Sequence, residues 1–80
     1  MIVRVSINPD KVLAQDICGE EAKYFWEVVV YTAEAKPLLV SRACDVYVDG
    51  ILLYPKSIYL VEASKLEIEG RKVYINTPPQ

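Results

Sequence analysis

From Leu66 to Ile75 the chain reads LEIEGRKVYI, and one pairing of its halves lets every apolar residue meet another. With Gly70 and Arg71 in a two-residue turn, Glu69 faces Lys72, Ile68 faces Val73, Glu67 faces Tyr74 and Leu66 faces Ile75. Side chains alternate along a strand, so a slip of one residue would move the whole apolar set to the other face. This segment is therefore expected to be an antiparallel hairpin with aliphatics on one side and Tyr74 with charged groups on the other. Val46 to Tyr54 repeats the pattern 20 positions upstream, Val46, Val48, Asp49, Gly50, Leu53 and Tyr54 matching Leu66, Ile68, Glu69, Gly70, Val73 and Tyr74. Two readings stand: a duplicated hairpin, or a type I′ turn at Asp49-Gly50 that pairs Val48 with Ile51.

Tyr24 to Ala33 is the strongest strand in the chain, rich in aromatic and β-branched residues. Tyr24, Trp26, Val28 and Val30 share one face; Phe25, Val29 and Tyr31 share the other, interrupted by Glu27. Apolar on both sides, it is expected to be central and covered twice. Ile2 to Ile7 is a half-buried strand, with Val3, Val5 and Ile7 on its inner face. A helix over residues 9–18 follows, with Asn8 as cap, Pro9 in the first turn and Gly19 as the stop. Its stripe is expected to be Val12, Leu13 and Ile17, with Ala14 and Cys18 beside them. A strand–helix–strand connection favours a parallel crossover, which would set the first strand parallel to the Tyr24 strand. Leu38 to Ala43 and Ser57 to Glu62 are further extended segments, and residues 76–80, with Pro78 and Pro79, read as a mobile tail.

At 80 residues, 52% of them apolar and 25% charged, the chain suits a single domain over residues 1–80. The expected fold is mainly β, a β-rich α+β arrangement: a small barrel or two-layer sandwich of about seven short strands in hairpins, with one short helix. Neither a membrane span nor a secretory leader is apparent, so a cytoplasmic setting is expected. Cys18 and Cys44 match no zinc or CxxC spacing, and reduced, buried thiols are the expectation there; a disulfide is expected only in a hyperthermophile. Sparse Asn and Gln and the absence of His point toward a thermophile, although Lys and Glu are not enriched.

The chain has no histidine, which removes the Ser-His-Asp and Cys-His arrangements along with the commonest general base. Glu67 and Glu69 share a solvated strand face, and Gly19, Gly50 and Gly70 are too isolated for a phosphate-binding loop. No catalytic residue, metal ligand or cofactor is expected, and the chain is not read as an enzyme. What remains are rings and flanking cations: Tyr47, Tyr54 and Tyr74, with Lys56, Arg71 and Lys72 at their margins. Such rings suit a protein partner or a second copy, because tyrosine supplies large contact area at small entropic cost. The expected function is thus a non-catalytic protein-interaction or accessory assembly subunit that self-associates as a homo-oligomer. The alternative is a small single-stranded nucleic-acid-binding β-barrel whose rings stack bases. Against it stand the net charge of −2 and the nearby Glu62, Glu67 and Glu69.

Overall fold

The computed structural model describes residues 1–79 and arranges them as two four-stranded sheets with one short helix. In chain order the elements are β1 (Ile2–Asn8), α1 (Lys11–Cys18), β2 (Phe25–Tyr31), β3 (Pro37–Ala43), β4 (Asp45–Val48), β5 (Ile51–Leu52), β6 (Ile58–Glu62), β7 (Lys65–Glu69) and β8 (Lys72–Asn76). The first sheet runs β3-β2-β1-β6 and the second β5-β4-β8-β7. The fold is mainly β, and the two sheets stay separate, so the architecture is a sandwich. None of the described helices is long and apolar enough to cross a membrane.

Alternation builds the core. Val3 and Val5 of β1 and Trp26, Val28 and Val30 of β2 turn toward Val46, Val73 and Ile75 of the second sheet, forming one buried cluster. Each such side chain contributes roughly 1.5–3 kcal/mol on leaving water. The β7–β8 hairpin has the register expected from its polarity, Glu69 with Lys72 through Leu66 with Ile75. Gly70 at φ 58° opens its turn, as a type II′ hairpin requires. The β4–β5 hairpin pairs Val48 with Ile51 around Asp49 (φ 50°) and Gly50 (φ 81°), two left-handed residues in sequence, as in a type I′ turn. That decides against the duplication reading, because the two turns fall one residue out of step with the 20-residue offset.

Three further expectations need correction. The first strand is antiparallel to β2, with Val3 opposite Val30, and not parallel to it. An eight-residue helix spans only about 12 Å, roughly half of a seven-residue strand, and the chain turns back at the same end of the sheet. The parallel pair is instead β4 with β8. The helix begins later than residue 9, and Asp10 is its cap: the Asp10 carboxylate accepts from the Leu13 N–H (3.1 Å), while Asn8 accepts from the Asp10 N–H (3.0 Å). Pro9 holds Asn8 extended, which keeps it in β1. Val12 is 78% exposed, not part of the packed stripe. At 100° per residue, Leu13, Ala14, Ile17 and Cys18 share one side of α1 and Val12 points the opposite way.

The third correction concerns the cysteines, which are not free thiols: Cys18 and Cys44 form a disulfide, with Cα atoms 5.6 Å apart. It ties the end of α1 to Cys44, the residue through which the chain passes from β3 to β4. Replacing both, Cys18→Ala with Cys44→Ala, is expected to lower unfolding free energy by about 3–4 kcal/mol, the loop-closure value for a 26-residue separation. Urea denaturation measures this, and a loss below about 1 kcal/mol would show that the unfolded chain is not constrained by the bridge.

Residues 76–77 lie within the span read as a mobile tail, yet both are held. Asn76 ends β8, and the Asp49 carboxylate accepts from the Thr77 N–H (2.9 Å) and from its hydroxyl. The Thr77 hydroxyl, and then its N–H, hold the Asp49 carboxyl below its ordinary value. A folded pKa below the unfolded one stabilises the fold above the unfolded pKa and is lost as pH falls through the folded value. Carboxyl NMR titration should place Asp49 below the usual aspartate value. Thr77→Val should raise it while leaving the N–H bond in place; an unmoved titration would show that the hydroxyl is not the cause.

Candidate functional site

The parallel β4–β8 register puts Tyr47 beside Tyr74 on the outer face of the second sheet. Their rings stack with centroids 5.1 Å apart and planes 10° from parallel. Cross-strand neighbours on this face are Leu52 beside Tyr47 and Glu67 beside Tyr74. Lys72 lies in the next row between Asp45 and Glu69. Arg71 sits at the hairpin tip, its carbonyl accepting from the Cys44 and Asp45 N–H groups. Of the six residues expected to bind a partner, then, Tyr47, Tyr74 and Lys72 share a face and Arg71 borders it.

Tyr54 and Lys56 lie apart from that face, in the segment between β5 and β6. The β5 strand ends at Leu52, so alternation does not carry Tyr54 onto the sheet. Tyr54 is 80% exposed, and its carbonyl accepts from the Tyr59 hydroxyl at 2.7 Å. The Lys56 ammonium lies 5.2 Å from the centre of the Tyr59 ring, which in turn packs against Trp26. Carboxylates interleave the cations across the tyrosine face, and Lys65 is bonded to Glu67 at 2.8 Å. That face is locally neutral. The ring stack is expected to be structural, with a coupling of about 0.5–1.5 kcal/mol in a Tyr47→Leu, Tyr74→Leu double-mutant cycle. Zero coupling in thermal unfolding would leave the rings free for a ligand.

A different surface is apolar and uncovered. On the outer face of the first sheet the strand registers set Leu60, Arg4, Val29 and Val40 in one row across β6, β1, β2 and β3. The next row brings Glu62, Ile2 and Tyr31 together at the hairpin end. Helix α1 shields only the opposite end of β2. Ala14 and Phe25 are fully buried there, outside the inter-sheet cluster, with the Arg42 guanidinium 5.5 Å from the Phe25 ring centre. Beyond the helix, Leu38, Val40 and Leu60 are 65–71% exposed. Met1, Ile2, Tyr31, Leu38 and Leu60 line an open concavity of about 760 Å³ around Arg4.

Arg4 is the one cation in the middle row. Its guanidinium lies 5.9 Å from the Tyr31 ring centre, and its Nε is both shut from solvent and without a hydrogen-bond acceptor. This surface offers dispersion, a ring and a flat cation, with the Thr32 hydroxyl and the Glu62 carboxylate as further polar groups in its lining. Among the described residues no three Cys, Asp or Glu groups come together to hold a metal ion. The expectation built on tyrosines missed this site, although a signal was present: Leu38-Leu39-Val40 breaks alternation, so that strand is apolar on both sides. The chain matches no family model, no curated protein and no solved structure.

Proposed function

We propose that this chain is a non-catalytic interaction or assembly subunit that works by associating with protein, its own copies included. The observation that carries the reading is the outer face of the first sheet, where Ile2, Leu38, Val40 and Leu60 stand exposed around Arg4. Large apolar side chains grouped on one surface of a small domain are a mark of protein, membrane or ligand contact, and a protein is the occupant proposed for this one. Arg4 suits such a contact, since a guanidinium stacks on rings and is weakly hydrated. The small size points the same way: a domain of this length buries a modest share of its surface alone and gains from an interface.

The nucleic-acid reading has less support. Its rings, Tyr47 and Tyr74, are stacked on each other, and Asp45, Glu67 and Glu69 share their face. Phosphates would meet those carboxylates before reaching Lys72. The disulfide suits either an oxidising compartment or the cytosol of a hyperthermophile.

Sedimentation of the oxidised protein over micromolar to millimolar concentration tests the proposal. A mass rising to at least twice 9.1 kDa is expected, and Leu38→Glu should shift the rise to higher concentration. A single 9.1 kDa species throughout would overturn it.

A further inference from the structure

Backbone bonding shows which groups the open edges of the first sheet present. The Met1 amino group donates to the Ala63 carbonyl (2.9 Å), the Ala63 N–H donates to Met1 (2.7 Å), and the Ile7 N–H donates to Ser57 (3.3 Å). In antiparallel strands successive residues direct their N–H and C=O to opposite neighbours. Odd-numbered β1 residues therefore bond β6 and even-numbered ones bond β2. Carried through the registers, Trp26, Val28 and Val30 bond Ala43, Ser41 and Leu39 of β3. Val40 and Arg42 are left with N–H and C=O directed away from the sheet.

We infer that β3 is completed by β3 of a second copy, running antiparallel about a two-fold axis through Val40; this rests on the self-association proposed above. Such pairing is self-complementary. Val40 meets Val40 of the second copy, Leu38 meets its Arg42, and Leu39 meets its Ser41 on the other face, so no like charges are opposed. Over Pro37 to Val40 neither face of this strand is covered from within the domain, since all four residues are exposed, whereas Ala43 at its far end is buried in the core. A second copy would shelter Val40 on one face and Leu39 on the other.

The remaining edges are guarded. On β7, Lys65, Glu67 and Glu69 alternate along the strand, the usual defence against edge pairing, and β5 has only two residues. The open groups of β6 belong to Ile58, Leu60 and Glu62, a strand that ends in a charge. The guards of β3 lie at its ends, Pro37 with a register shift beside Leu38 at one and Arg42 at the other, and the span Leu39 to Ser41 between them is regular and uncharged. The domain exposes 5434 Å², whereas a stable interface takes about 800 Å² from each partner. One short strand pair supplies less than that, so the dimer exchanges with monomer.

Hydrogen exchange read by residue at rising concentration tests the assignment. The Val40 and Arg42 amides should slow as dimer forms, while those of Ile58 and Leu60 on the β6 edge stay fast. In parallel, Val40→Pro removes an N–H that bonds nothing within the monomer, and should weaken association about tenfold or more, the loss of two central hydrogen bonds. Its fold is checked by the near-ultraviolet signal of Trp26, and if the variant does not fold, exchange in the unaltered chain decides. Association that protects Ile58 and Leu60, or that leaves Val40 fast, overturns the β3 pairing while leaving self-association in place. A monomer at every concentration overturns both.

Discussion

The whole arrangement depends on β2 being apolar on both of its faces. Trp26, Val28 and Val30 enter the inter-sheet cluster, while Phe25 and Val29 are buried on the opposite side. A strand of this kind cannot lie at an edge or face water on either side without exposing several large side chains. It takes the centre of its sheet with β1 and β3 as neighbours, and each face needs a cover. The second sheet covers one face completely. The other receives only an eight-residue helix, packed on β2, and Leu38, Val40 and Leu60 on that side of the sheet stay exposed.

From that shortfall comes the candidate site. The part of the outer face beyond α1 is the part around Arg4, Tyr31 and Leu38, and the exposed apolar residues of the first sheet gather there. On the second sheet the outer face is balanced, because its large rings stack on each other and its charges alternate in sign across strands. The two outer faces thus differ in what they leave unsatisfied. One has apolar area without a partner, and the other has polar groups that are already paired or hydrated.

The disulfide follows from the same geometry. Cys18 closes α1, and Cys44 is the one residue between β3 and β4, so the bridge joins the helical cover to the crossing point of the two sheets. A short helix resting on one side of one strand has little contact area of its own, and a covalent tie holds it where packing is thin. The reduced state expected for the cysteines failed because their sequence spacing of 26 residues says nothing of their separation in space.

Local rules carried the sequence a long way. The register of β7 with β8 was set by polarity, since Leu66, Ile68, Val73 and Ile75 admit no other pairing that keeps them together. The two-faced character of β2 and the presence of a helix after β1 were legible for similar reasons: each depends on residues within one or two turns of chain. Strand direction and the disulfide were not legible, and of the exposed face only the apolar run Leu38-Leu39-Val40 was. The direction of β1 against β2 depends on how far α1 reaches, and the place of Tyr54 on where β5 stops. Likewise, the outer face of the first sheet assembles Leu60, Arg4, Val29 and Val40 from four strands far apart in sequence. Periodicity tells which side of its own strand a residue occupies. Only the tertiary structure decides which sides are set next to each other and which are left without a cover.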